Sequence, residues 1–474
     1  MGSMAESKIK TLLDEGSFVE IKKAVTARAT DFNLNEAETP GDGVVTGYGT
    51  IEGNLVYVYS QDESVLNGTI GEMHAKKISN IYDMAMKMGA PVVALIASAG
   101  MRLQEGSDAL EAFGSIYNSQ ALASGVIPQI TAVFGTCGGG LSIVAGMSDF
   151  VFVEEKKGRM FLNSPNAIVG NTIEKEDTSK ALFQSESTGV VDAVTSEAQI
   201  LADIRRLVAM LPLNNSGDMS PSVSADDLNR RLINPLGGME DSAILLAQIA
   251  DDNFFFETKK DYARDMVTGF LRLGGMTIGA LANRLKKYDE NAEVKETYSG
   301  ALGATAARKA ASFVNFCDAF EIPILTLTNV DGFQTTMCAE KNLAREAAKL
   351  TGAFASTTVP KVNVICGKAF GSAYTVMNSK SLGADMVFAW PNAKIGLMNA
   401  QMAAKVMYPE ENDKQLKEKA AAYDALQNSP DSAARRGYID AIIEPEETRK
   451  YLIGAFEMLY TKRVDVPFKK HGTK

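Results

Sequence analysis

Val133-Phe134-Gly135-Thr136-Cys137-Gly138-Gly139-Gly140 and Val364-Ile365-Cys366-Gly367-Lys368-Ala369-Phe370-Gly371-Ser372-Ala373 spell the same local structure twice. Each is an apolar run of strand composition that enters a glycine-rich turn and continues into apolar residues at helical spacing. Such a turn exposes backbone N–H groups at the opening of a helix, where an oxygen that gathers negative charge is stabilised. Two of them in one chain imply chemistry that passes through two such oxygens.

Outward from the first turn, helix and strand signals alternate. Residues 71–88 predict an amphipathic helix, with Ile78, Ile81, Tyr82 and Ala85 on one face and Gly89 as its stop. A buried strand is expected over 91–97, a helix over 109–124, the strand into the turn over 128–134, and another strand over 149–153. Upstream, 44–51 and 55–60 flank Glu52-Gly53-Asn54 as a hairpin, and 7–13 and 18–23 predict short helices. This alternation predicts an α/β fold built on a largely parallel, buried sheet.

The pattern then restarts. Residues 213–238 are polar and turn-rich, which suggests a linker and two domains, 1–235 and 236–474. Pro91 and Pro323 open buried strands 232 residues apart, and so do Pro128 and Pro360. Gly135 pairs with Gly367 and Gly139 with Gly371 at the same offset, and the hairpin of 47–53 is echoed at 269–275. Several matches at one offset imply a duplicated domain.

A length of 474 residues suits two domains of this kind. Acidic residues outnumber basic ones, 58 to 48, and no basic block stands out, which excludes non-specific nucleic-acid binding. The cysteines, Cys137, Cys317, Cys338 and Cys366, form no CxxC pair. Their scatter fits a reducing, cytoplasmic setting and offers no zinc site. The two histidines, His74 and His471, are too few for a histidine-based triad or a multi-histidine metal centre. Apolar runs fall short of the ~20 residues of a membrane span. The opening Met1-Gly2-Ser3-Met4 reads as a leader left by expression.

Longer stretches carry a resemblance. Gly71-Glu72-Met73-His74-Ala75-Lys76-Lys77-Ile78, the block 89–106 and Ala123-Ser124-Gly125-Val126-Ile127-Pro128-Gln129-Ile130 belong to it. So do Phe254-Phe255-Phe256-Glu257, Val359-Pro360-Lys361-Val362, Met377-Asn378-Ser379-Lys380 and Val466-Pro467-Phe468-Lys469-Lys470-His471-Gly472. In this order and spacing they resemble the carboxyltransferase (beta) subunits of biotin-dependent acyl-CoA carboxylases and the alpha subunits of biotin-dependent acyl-CoA decarboxylases. The resemblance implies two duplicated crotonase-like (ClpP/crotonase) domains, with acyl-CoA on the N-terminal one and biotin on the C-terminal one. It further implies a homo-oligomer, usually a hexamer, with the active site at a dimer interface. Biotin would arrive as carboxybiotin on a separate carrier protein, with biotin carboxylase or decarboxylase partners as further polypeptides and no metal in this subunit.

Carried onto this sequence, the resemblance gives Gly139 and Gly140 the thioester oxygen, with Ala99, Gly100, Arg102 and Gly138 beside the acyl-CoA. Gly371, Ser372 and Ala373 would take the ureido oxygen of biotin, with Phe370 alongside. Tyr374 and Thr375 would be substrate-binding, and Thr375 occupies a position that helps set acyl-chain preference in relatives. In such enzymes biotin itself is thought to remove the α-proton, so the scarcity of histidine is no obstacle. The chain departs from the pattern at Ser372, where a second glycine is usual, at Ser98-Ala99-Gly100-Met101-Arg102, and at 328–336, where relatives carry a Pro-Gly-Phe loop. Lys368 stands beside the second turn and is a candidate for polar contacts with CoA or biotin, as Lys76 and Lys77 are for CoA phosphates. Ala85-Met86-Lys87-Met88 matches a biotin-attachment tetrapeptide, yet it sits on the expected helix rather than at a hairpin tip. Three alternatives stay open: the decarboxylase direction, a crotonase-type hydratase or isomerase, and an inactive scaffolding homologue.

Overall fold

The computed structural model describes residues 3–28, 38–171, 175–217, 220–289, 291–467 and 473. Met1-Gly2 of the leader and the 468–472 part of the C-terminal stretch lie outside the described residues. The chain divides into two compact units, Met1–Asp218 and Met219–Lys474. The division falls earlier than the polar composition of 213–238 suggests, because that stretch is not spare chain. Ser222 N–H donates to the Gly275 carbonyl and Leu232 N–H to that of Glu446, both at 2.9 Å. The Leu232 side chain joins the core of the second unit.

The sheet of the first unit holds β1 (Val19–Ile21), β2 (Val44–Ile51), β3 (Asn54–Gln61), β4 (Val92–Ser98), β5 (Gln129–Gly138), β6 (Phe150–Glu154), β7 (Arg159–Phe161) and β8 (Ala193–Thr195). They run in the order β1-β2-β3-β4-β5-β6-β8, with β7 paired to the end of β5. The hairpin β2–β3 is antiparallel, and the pairs from β3 to β8 are parallel. A parallel sheet covered on both faces needs strands apolar throughout, and β4 is buried at every residue. The helix Glu72–Met88 covers it with Ile78, Ile81, Tyr82 and Ala85 and stops at left-handed Gly89, as the periodicity predicts. Residues 18–23 differ from their expected helix. They are too few to nucleate one, and Val19–Ile21 instead pairs antiparallel with the edge of β2.

The second unit repeats this plan with β9 (Phe255–Thr258), β10 (Met266–Leu273), β11 (Met276–Asn283), β14 (Ile324–Asp331), β15 (Lys361–Phe370), β16 (Met386–Ala389), β17 (Lys394–Gly396) and β18 (Ala441–Ile442). The order is β18-β16-β15-β14-β11-β10-β9, with β17 on β15; β12 (Lys286–Tyr288) and β13 (Val294–Thr297) form a separate hairpin.

Single hydrogen bonds recur at the 232-residue offset. Ile70 N–H donates to Gly100 O at 2.8 Å and Arg102 N–H to Ile70 O at 3.0 Å; Leu302 to Gly332 at 2.9 Å and Gln334 to Leu302 at 3.0 Å repeat them. Lys77 is buried and donates through Nζ to the carbonyls of Gly41, at 2.8 Å, and Val44. Its counterpart Lys309 donates to Lys259, Tyr262 and Met266 at 2.8, 2.9 and 2.7 Å. In both units one buried lysine thus ties the covering helix to the chain entering the first long strand of the hairpin.

Candidate active site

The two glycine turns leave the sheets at equivalent points. In the first unit β5 pairs with β7 through Gly138↔Phe161; in the second β15 pairs with β17 through Phe370↔Gly396. Gly139 and Gly371 then take matching left-handed conformations, φ 60° and 64°. Helices open at once, Leu141–Met147 after the first turn and Gly371–Val376 at the second. A side chain on Gly138 would meet the Phe161 ring at 2.8 Å, and one on Gly140 would meet the Tyr117 hydroxyl at 2.6 Å. The three consecutive glycines therefore answer three demands: close packing, a left-handed turn, and close packing again.

Hydrogen bonding decides which N–H groups remain. Gly139 N–H continues the strand pairing and donates to Phe161 O at 2.9 Å. It is committed, which corrects the expectation that Gly139 is one of the oxyanion donors. Gly140 and Leu141 open the helix, and their N–H groups meet no protein acceptor among the described residues. The peptides carrying them are held from the carbonyl side. Gly139 O accepts Ser142 N–H at 3.0 Å and Ser142 Oγ–H at 2.8 Å. Gly140 O accepts Ile143 N–H at 3.1 Å and the Tyr117 hydroxyl at 2.7 Å. The result is a pair of adjacent, fixed donors, the arrangement that stabilises a developing oxyanion without reorganisation. Sequence reading missed Leu141, Ser142 and Tyr117, because the glycine pattern does not tell which N–H a neighbouring strand uses.

The loop 98–105 lies against this turn, with the Gly138 carbonyl 3.3 Å from where a Gly100 side chain would begin. Ala99 is exposed, whereas Gly100 and Gly138 are buried. Arg102 is a structural residue and not a free cation for substrate. Its side chain has no exposure, and its guanidinium pairs with Asp42 at 2.6 Å and Glu105 at 2.7 Å and donates to Thr69 O at 2.6 Å. Buried and fully engaged, it fixes the loop, correcting its expected place beside the acyl-CoA. His74 is structural as well. Its Nδ1 lies 2.8 Å from Asp42 O, and burial holds the ring far down, to about 3, so it stays neutral. Lys77 is buried as described, and exposed Lys76 pairs with Glu72 at 2.6 Å.

At the second turn Gly371, Ser372, Tyr374 and Thr375 line one cleft of about 480 Å³, together with Tyr423, Gln427, Arg436 and Tyr438. Ala373 lies buried behind them. Gly371, Ser372 and Ala373 stand at the opening of the helix here as Gly139, Gly140 and Leu141 do at the first turn. Aromatic walls around backbone donors suit a flat, uncharged ring with one polar oxygen, so the residues present fit a ureido group. Phe370 opens instead onto a neighbouring cleft of about 690 Å³ shared with Lys368, Lys394 and Lys417. Lys368 is paired with Asp331 at 2.5 Å. The divergent stretch 328–336 braces the turn: Asn329 Oδ1 accepts Lys368 N–H at 2.9 Å, and Thr328 Oγ–H donates to Asn363 at 2.8 Å. Lys87 sits in the last turn of the helix Glu72–Met88, not at a hairpin tip.

The chain is similar to known proteins along nearly its whole length. The chain is 40% identical over 482 residues to a propionyl-CoA carboxylase beta chain of Roseobacter denitrificans, covering 98% of this chain and 92% of that protein. It is 37% identical over 480 residues to a methylmalonyl-CoA decarboxylase subunit alpha of Veillonella parvula, covering 99% and 92%. Among solved structures, a transcarboxylase 12S with hydrolysed methylmalonyl-coenzyme A bound superposes with a TM-score of 0.92 at 34% identity, over 99% of this chain and 92% of that one. The expected crotonase-like fold of the two repeats stands with these neighbours. A model of the carboxyl transferase domain matches residues 3–473, and the chain accordingly belongs to the carboxyl transferase family.

Proposed function

We propose that this chain transfers a carboxyl group between biotin, carried on a separate protein, and the α-carbon of an acyl-CoA thioester. The observation that carries the mechanism is the matched pair of turns, each with two adjacent N–H groups on a helix opening. Gly140 and Leu141 hold the thioester oxygen while the α-carbon is carbanionic, and Ser372 and Ala373 hold the ureido oxygen. Biotin, when bound, delivers or accepts the carboxyl group and takes up the α-proton. The protein's own part is to bind, align and neutralise, with no side-chain base; the neutral, enclosed His74 supports that division of labour.

The relatives' names favour a short acyl chain of the propionyl/methylmalonyl type, which Thr375 and Tyr374 on the wall of the second-turn cleft would face where it meets the ureido group. The decarboxylase direction is the second reading, supported by the 37% identity to methylmalonyl-CoA decarboxylase alpha subunits. The hexamer named for the transcarboxylase 12S supports a homo-hexamer here, with each site completed across a dimer interface. A biotin carrier and a biotin carboxylase, or their decarboxylase counterparts, complete the system. Four unpaired cysteines suit a cytoplasmic setting, and among the described residues no helix is long and apolar enough to cross a membrane. The test is carboxylation of free biotin by the purified chain with methylmalonyl-CoA as donor. Protein that binds CoA yet turns over no short acyl-CoA overturns the reading.

A further inference from the structure

The cleft at the second turn holds one feature that the oxyanion chemistry does not use. Arg436 lines it, and it is the one charged side chain among the residues lining that cleft. Arg102, Arg284 and Arg449 are buried and each is neutralised by a carboxylate, whereas Arg436 is exposed at the edge of the cleft. Among the described residues Arg436 has no carboxylate partner. Its guanidinium donates instead to two neutral acceptors, Ser432 Oγ at 2.5 Å and Gln427 Oε1 at 3.0 Å. Ser432 is itself pinned, its hydroxyl donating to Leu426 O at 2.7 Å. Among the described residues two of its five N–H donors are used, so the group is held in place with three donors open to solvent or a ligand.

We propose that Arg436 is a positioning residue that recognises the carboxylate in transit, the carboxyl attached beside the ureido oxygen held at Ser372 and Ala373. This rests on the function proposed above and names the group that distinguishes the loaded ligand from the empty one. A planar fork of donors matches a carboxylate. Both oxygens of the ligand would then be met in one cleft, the ureido oxygen by backbone N–H groups and the carboxylate by the guanidinium. The physical consequence is directional. A guanidinium stabilises the negative charge of the carboxylate, and that charge is lost when the N–C bond breaks, its electron pair passing to the ureido nitrogen as neutral CO₂ departs. Arg436 therefore secures the loaded ligand and restrains release of CO₂ until the acceptor carbon is in place.

The experiment compares wild type with Arg436→Gln and Arg436→Lys, after both variants are shown to melt within a few degrees of wild type. Equilibrium binding is measured with two probes, biotin and chemically prepared N1-carboxybiotin, alongside CO₂ release uncoupled from acyl-CoA carboxylation. The expected result for Arg436→Gln is a loss of at least about tenfold in affinity for N1-carboxybiotin, the size of a charge-assisted contact, with biotin affinity unchanged. The uncoupled fraction of CO₂ should rise, and Arg436→Lys should recover part of both. Equal loss for the two probes, or no loss for either, overturns the proposal. Wild type that turns over no acyl-CoA overturns the underlying function instead, so the two failures are distinguishable.

Discussion

At Gly140 the packing that makes the turn is also its most sensitive probe. A methyl group there would lie 2.6 Å from the Tyr117 hydroxyl and 3.3 Å from the Phe113 ring, so the peptide or the tyrosine must move. Gly140→Ala should lower kcat by on the order of a hundredfold, the usual cost of one displaced oxyanion donor. Tyr117→Phe removes only the hydroxyl that steadies the Gly140 carbonyl and should lower kcat roughly fivefold, the value of one neutral hydrogen bond. Steady-state kinetics with a short acyl-CoA checks both; an unchanged kcat in Gly140→Ala would remove the first turn from the mechanism. Gly139→Pro, the obvious substitution from sequence, answers a different question. It breaks the bond to Phe161 and a φ of 60° that proline cannot adopt, so it tests the turn and not the donors. Ser372→Gly keeps the N–H and removes only an exposed hydroxymethyl group, and activity should stay within about threefold of wild type if the backbone is the donor. A sequence names the glycines but not the owner of each free N–H, since that depends on which carbonyl a strand far along the chain presents.

At the scale of elements, most of the fold was legible. The helix Glu72–Met88 and the strands Val92–Ser98 and Gln129–Gly138 carry unbroken periodic signals, and the offset of 232 between Gly139 and Gly371 survives down to single hydrogen bonds. What could not be read was which charges go inside. Arg102, Lys77 and Lys309 look like surface residues in a list of amino acids, but each satisfies acceptors that a loop would otherwise bury unpaired. The repeat held a usable clue, because Lys77 and Lys309 stand at the common offset. Burial lowers the Lys309 ammonium from its ordinary 10.5 to about 7. Between those values the unfolded chain binds the extra proton, so this residue's contribution to stability rises with pH from about 7 upward and is least favourable below it. Lys309→Met strands three carbonyls and should destabilise the second unit by about 3 kcal/mol. The gap between wild type and variant should widen from pH 7 toward pH 10 in urea unfolding. A gap that narrows over that range would reverse the assignment of sign.

For the whole molecule, the open question is whether one chain owns a complete site. The cleft at the second turn is lined in part by apolar groups that a single chain leaves in water: Leu397 is 70% exposed and Tyr438 57%. The nearby helix Ala400–Met407 adds Met402 and Val406. Exposed apolar side chains beside a polar pocket are a usual mark of a covered surface, and in a closed dimer the same patch is used twice. A site shared between chains makes a prediction that a self-contained site cannot meet. Gly140→Ala disables the first turn. Ser372→Pro removes one donor from the second at a helix position where proline fits. Each variant alone should be nearly inactive. Denatured together and refolded, they form mixed interfaces in which one of the two shared sites combines an intact first turn with an intact second turn. Random association then returns about a quarter of wild-type activity. If each chain carries its own complete site, every site in the mixture keeps one lesion and no activity returns. The measurement needs only turnover and the oligomer's mass before and after mixing, and the absence of recovery in a correctly sized particle would confine catalysis to a single chain.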